Sequence, residues 1–210
     1  MNFQELSEMV IVGDHIGAEA WTQKALDSGI SAKTIIDDGL IPGMDEVGRR
    51  FRENEYYMPD VLISARAMKI SMALVRPLLA ESGESTKGAV VIGTVQGDLH
   101  DIGKNLVGMM LEGAGYDVHD LGVDVSPEDF LKCVEENEAG ILCMSALLTT
   151  TMPMMETTIK AASEAELRNK VKILVGGAPV SDAFAVRIGA DGYAPDAARA
   201  VDLVNSIMGG

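Results

Sequence analysis

The sequence predicts an α/β protein in two parts, an all-helical amino-terminal domain and a parallel sheet with helices on both faces. Three observations carry that prediction. Residues 1–83 place apolar side chains at helical spacing. From residue 89 onward, short apolar runs alternate with amphipathic stretches, the pattern of repeated strand-helix units. Between them, Glu81-Ser82-Gly83-Glu84-Ser85-Thr86-Lys87-Gly88 is small, polar and without periodicity, which places a linker at 84–88 and domains at 1–83 and 89–210.

The first helix is predicted over Phe3 to Val12. Asp14 suits the N-cap of the second, which runs to Ser28 before Gly29. Ser31 caps a third, which continues through Ile35-Ile36, is disturbed by Gly39 and Pro42, and resumes to about Glu53. The fourth begins near Pro59, a residue tolerated in a first turn, and sets Val61, Leu62, Ala65, Met68, Met72, Val75 and Leu79 at helical spacing. Four amphipathic helices with short joints predict a four-helix bundle. In the second part, strands are expected at Ala89 to Val95, Tyr116 to Leu121, Gly140 to Ser145, Val171 to Val175 and Gly192-Tyr193. Helices fill the gaps: Gly103 to Gly115, Pro127 to Asn137, Pro153 to Arg168, Ser181 to Ile188 and Asp196 to Met208. Five parallel strands so connected predict a flavodoxin-like, Rossmann-like sheet in the order 2-1-3-4-5.

A chain of 210 residues with 47% hydrophobic content can bury a core of ordinary size. Its net charge of -15 argues against nucleic acid as a partner, because phosphate binding needs clustered Lys and Arg. It favours steered docking to a basic partner. No apolar stretch approaches the roughly 20 residues that span a bilayer, and Met1-Asn2-Phe3-Gln4-Glu5 lacks the basic start of a signal peptide, so a cytoplasmic protein with no membrane partner is expected. Cys133 and Cys143 lack the spacing of a zinc site.

The chemistry concentrates at Gly97-Asp98-Leu99-His100-Asp101-Ile102-Gly103, a histidine beside carboxylates in a glycine-framed loop between the first strand and its helix. In open α/β sheets such loops lie at the carboxyl ends of strands, where ligands bind. A loop histidine hydrogen-bonded to a neighbouring acid would give the same local pattern. Two further strand ends add to it: Ser145-Ala146-Leu147 closes the third apolar run, and Gly176-Gly177 follows the fourth.

The ordered set Asp98-x-His100-x-x-Gly103, Ser145-x-Leu147 and Gly176-Gly177 resembles the signature of cobalamin-dependent methyltransferases, the family that includes the B12-binding module of methionine synthase. The intervals of 41 residues between Gly103 and Ser145 and 28 between Leu147 and Gly176 suit that family. In size and layout the chain resembles the free-standing corrinoid proteins of methylamine, methanol, betaine and aryl-methyl-ether systems. The resemblance implies a cobalamin or related corrinoid, carried as methylcobalamin, with His100 as the cobalt ligand. It implies a His100-Asp98-Ser145 relay, with the Ser145 hydroxyl on the far side of Asp98. Gly176 and Gly177 would leave room for the displaced nucleotide tail, Leu147 would wall its pocket and Thr149 would hydrogen-bond to it. Gly103 would permit close approach at the helix start, and Gly122-Val123 would touch the corrin edge. In the helical domain, Gly48-Arg49-Arg50-Phe51 followed by Tyr57-Met58-Pro59 is similar to the family's cap over the methyl face, which would assign that role to Phe51 and Met58, although Met and Phe at helical spacing also read as core.

The implied function is a methyl shuttle that does not turn over alone: Co(I) accepts a methyl group from a substrate-specific methyltransferase, and methyl-Co(III) delivers it to a second methyltransferase with a folate, pterin or thiol acceptor. A reductive activase is a further implied partner. Three other readings compete with it. A P-loop fails because five residues separate Gly97 from Gly103 and Asn105 replaces the magnesium-binding Ser or Thr. A corrinoid-binding sensor would normally add a basic DNA-binding domain, and the cobalamin subunit of a mutase would not need the helical bundle.

Overall fold

The computed structural model describes residues 1–82 and 87–209; residues 84–86 of the expected linker lie outside the described residues. The chain forms two compact units, Met1–Thr86 with Met109–Gly115, and Lys87–Gly108 with Tyr116–Gly210.

The first unit is helical, and Asp14 and Ser31 are the caps the sequence indicates. Helix α1 (Phe3–Val12) starts at Asn2, whose side chain accepts from Gln4 N, and α2 (His15–Asp27) starts at Asp14, whose carboxylate accepts from Gly17 N. Ser31 caps α3 (Ala32–Ile35). The expected disturbance at Gly39 and Pro42 takes the form of a π-helical turn, Ile36–Leu40, leading without a break into α4 (Ile41–Arg52). Pro42 has no N–H to give to an α-type ladder, and the wider turn relieves its ring against the preceding carbonyls. The Gly39 carbonyl accepts instead from Ser7 Oγ of α1 at 2.7 Å. Close packing of these two segments depends on Gly43, where a Cβ would lie 2.9 Å from both the Ser7 carbonyl and Val10 Cβ. Helix α5 (Met58–Ser82) completes the bundle, burying Val61, Ala65, Met68, Met72 and Val75.

The second unit is a five-stranded parallel sheet in the order β2-β1-β3-β4-β5, the predicted topology. Its strands are β1 (Ala89–Thr94), β2 (Asp117–Asp120), β3 (Ile141–Ser145), β4 (Lys172–Gly176) and β5 (Gly192–Tyr193). Its helices are α6 (Ile102–Gly113), α7 (Pro127–Glu136), α8 (Pro153–Glu164), α9 (Asp182–Ile188) and α10 (Ala197–Met208). Helix α8 stops short of the expected Arg168 because the chain reverses at Glu166, which takes φ 59°. Strand residues alternate between two faces, as a doubly covered sheet requires. Val91, Leu142, Met144, Ile173 and Val175 join one core with Phe130, Met155, Ile159 and Phe184 of α7, α8 and α9. On the opposite face, α6 approaches Ile92 at Gly108, and Leu203 of α10 packs with Leu174 around Gly192. β1 lies between β2 and β3, so the chain leaves β1 and β3 toward opposite faces. That divergence opens a crevice at their carboxyl ends, where ligands bind in sheets of this kind. No helix among the described residues is long and apolar enough to cross a membrane.

Candidate functional site

The loop leaving β1 is tied down on several sides. The buried Thr94 hydroxyl donates to the His100 carbonyl at 2.9 Å. Gly97 N donates to Asp124 Oδ1 at 2.7 Å, and Asp124 N donates to the Asp98 carbonyl at 3.0 Å. At the start of α6, Asn105 Nδ2 donates to Asp101 Oδ2 at 3.0 Å.

Asp98 is fully buried, and both carboxylate oxygens are engaged. Oδ1 accepts from His100 N at 3.1 Å and faces His100 Nδ1 at 2.7 Å. Oδ2 accepts from Leu147 N at 2.8 Å, Leu148 N at 3.2 Å and Thr151 Oγ1 at 2.7 Å. Burial alone would push this carboxyl up. The bonds from Thr151, His100 and the Leu147 amide outweigh it and hold Asp98 well below the usual carboxylate range. Asp98 is therefore an anion that only accepts, so Nδ1 of His100 donates to it and Nε2 is the ring nitrogen left to face a ligand. The His100 side chain is 52% exposed.

That arrangement can place one imidazole nitrogen on a metal. Among the described residues, no group of three or more His, Cys, Asp or Glu could hold a bare ion. A metal joined to His100 must bring its other ligands with it. The surroundings fit a large apolar group: Leu99 and Ile102 are 71% and 70% exposed, and Leu147 and Leu148 of the β3–α8 loop are also exposed. A Cβ at Gly103 would meet nothing within 4 Å, so packing within the fold does not explain that glycine, whereas Gly122 takes φ 80°, a left-handed conformation that favours glycine by itself. Gly122 N is held by Asp120 Oδ1 at 2.8 Å, with Val123 half-buried beside it. Lys104, which a P-loop would offer to phosphate, is instead buried and bonded to both Asp120 oxygens at 2.6 Å.

Three expectations change. Ser145 is not the residue on the far side of Asp98; among the described residues no hydrogen bond joins the two, and Thr151 makes that contact. Ser145 ends β3 beside Thr94, and only after the turn through Leu148 does the chain bring a hydroxyl back onto Asp98. Thr149, expected as a hydrogen-bonding residue, is exposed in that turn. The reason for Gly177 also differs: at φ 121° its Cβ would lie 1.9 Å from the Ala146 carbonyl oxygen, so protein backbone fills the space expected for a cofactor tail. At Gly176 a Cβ would lie 3.2 Å from the Ala194 carbonyl oxygen. Phe51, half-buried on α4, and Met58, exposed at the start of α5, belong to the helical unit. Thr94, Asp124 and Thr151 were missed by sequence reasoning. Each is far from His100 in sequence or reaches it through backbone, and the run Thr149-Thr150-Thr151 gives no local sign of which hydroxyl turns inward.

A carboxylate-held histidine at the switch point of a doubly wound sheet, with exposed apolar side chains around it and a helical bundle before it in sequence, is the class of site that can bind a metal bringing its other ligands with it. Comparison with known proteins agrees. A B12 binding domain model matches residues 88–202, and a second B12 binding domain model matches residues 3–76. A corrinoid protein of Desulfitobacterium hafniense is 44% identical over 98% of this chain and 96% of its own length. The dimethylamine corrinoid protein of Methanosarcina barkeri is 41% identical over 98% of this chain and 96% of its own. The crystal structure of the methanol:cobalamin methyltransferase complex from Methanosarcina barkeri contains a chain that superposes with a TM-score of 0.86 at 32% identity, covering 98% of this chain and 78% of that one. The chain belongs to the B12-binding corrinoid proteins, and its cofactor is a corrinoid.

Proposed function

We propose that this chain is a methyl carrier, taking a methyl group from a substrate-specific methyltransferase and delivering it to a second methyltransferase with a folate, pterin or thiol acceptor. The observation that carries the reading is the His100 imidazole, held at Nδ1 by a buried carboxylate on a half-exposed ring. Relatives support the methyltransferase setting, since one is a dimethylamine corrinoid protein and another is part of a methanol:cobalamin methyltransferase complex. The family resemblance adds a reductive activase as a third partner.

When bound, the corrinoid supplies a cobalt centre that can accept and release a methyl group. His100 would hold the cobalt through Nε2. Asp98 keeps the proton on Nδ1 and fixes the ring plane, which raises the basicity of the ligating nitrogen. Thr151 Oγ1 and the amides of Leu147 and Leu148 keep Asp98 charged and still. Leu99, Ile102, Leu147 and Leu148 would shield the bound group from water, Gly103 would leave room for it, and Gly122 and Val123 would touch its edge. Phe51 and Met58 retain the capping role that the resemblance implies, as part of the same proposal.

The test is reconstitution of the full chain with cobalamin, with visible spectra of wild type and His100→Ala. Wild type should take up cobalamin and show the spectrum of a histidine-ligated form. His100→Ala should lose that spectrum and bind about 10-fold or more weakly. No uptake by wild type, or an unchanged variant spectrum, would overturn the reading.

A further inference from the structure

We infer that Asp124 is a positioning residue for the Asp98–His100 pair, acting on it from the loop between β2 and α7. The inference rests on the reading of His100 as the axial ligand. Asp124 takes φ 56°, a left-handed conformation that most side chains avoid and that Asp and Asn tolerate best. In that conformation its side chain and its backbone both bond to the His100 loop. Oδ1 accepts from Gly97 N at 2.7 Å, and Asp124 N donates to the Asp98 carbonyl at 3.0 Å. The residues before and at the orienting carboxylate are thus gripped together by one side chain and its own amide.

The grip has a firm base. Leu121 N donates to the Ile92 carbonyl at 2.9 Å, Thr94 N to the Gly122 carbonyl at 2.9 Å, and Val125 N to the Thr94 carbonyl at 3.0 Å. Val95 and Val125 pair as a parallel bridge. Asp124 therefore stands on a loop stitched to β1. An error of about 1 Å in such a supporting shell is enough to misplace a ligand. The contact to Gly97 needs an acceptor and not a charge, so an amide oxygen in the same conformation can replace the carboxylate.

Two measurements on full-length wild type, Asp124→Asn, Asp124→Gly and Asp124→Ala test this. The first is hydrogen exchange of the Gly97 amide in cofactor-free protein. The second is cobalamin affinity, together with nitrogen coupling in the electron paramagnetic resonance spectrum of the cobalt(II) form. Asp124→Asn should match wild type in both. Asp124→Gly, which adopts the backbone without strain but offers no acceptor, should expose the Gly97 amide and bind cobalamin about 10-fold more weakly. Asp124→Ala, which also strains at positive φ, should be worse. If Asp124→Gly keeps wild-type protection at Gly97 and wild-type affinity, the inference is wrong while the functional reading stands. If wild type itself shows no nitrogen coupling, the functional reading fails and the inference falls with it.

Discussion

Asp98 receives five hydrogen bonds, and the one from Thr151 comes from a residue 53 positions away. Thr151→Val keeps the shape of the side chain and deletes its donor. Hydrogen bonds to a charged group are worth about 1.5–3 kcal/mol, so cobalamin binding should weaken about 10-fold or more, with Thr151→Ser restoring it. Ser145→Ala should weaken it less than Thr151→Val does, because Ser145 does not bond to Asp98. Titration of the apoproteins with cobalamin checks both, and a large loss in Ser145→Ala with none in Thr151→Val would reverse the assignment. The Asp98–His100 pair was legible in the sequence because its members are two residues apart and one local turn joins them. Thr151 and Asp124 were not, because the first depends on how a turn refolds after β3 and the second on a backbone conformation that no sequence spacing encodes.

At the scale of the elements, caps and strand ends were the readable features. Asp14, Ser31, Ser181 and Asp196 each hold the first amides of the helices they were expected to start. The π turn at Ile36–Leu40 was visible only as a conflict between helical periodicity and Pro42. Where β3 and β4 end, Gly177→Ala should cost about 2 kcal/mol or more, from strained φ and a backbone clash with Ala146, read as a lowered denaturant midpoint. An unchanged midpoint would show that the strand ends can part.

Asp191 anchors the other edge of the sheet, accepting from Ile173 N at 2.8 Å and pairing with Arg168 at 2.8 Å. Burial pushes its carboxyl up, but the Ile173 amide and the Arg168 and Lys172 side chains prevail and lower it. A carboxyl lowered on folding stabilises the protein above its unfolded value of about 3.9 and ceases to do so as pH falls through its folded value. Asp191→Asn should therefore cost about 1 kcal/mol at pH 7, and the gap from wild type should close below about pH 4. Denaturation curves across that range check this, and a gap that widens in acid would contradict it.

At the scale of the whole molecule, the two-part layout and strand order followed from periodicity and from the alternation of apolar runs. The fold places the carboxyl ends of β1 and β3 around Asp98, which holds the His100 ring by Nδ1. The most direct measurement is the electron paramagnetic resonance spectrum of the cobalt(II) form of the reconstituted protein, prepared with ordinary histidine and with histidine carrying the heavy nitrogen isotope. The account predicts nitrogen coupling whose splitting pattern changes with the isotope and disappears in His100→Ala. Coupling indifferent to the histidine label, arising from the cofactor's own base, would contradict it.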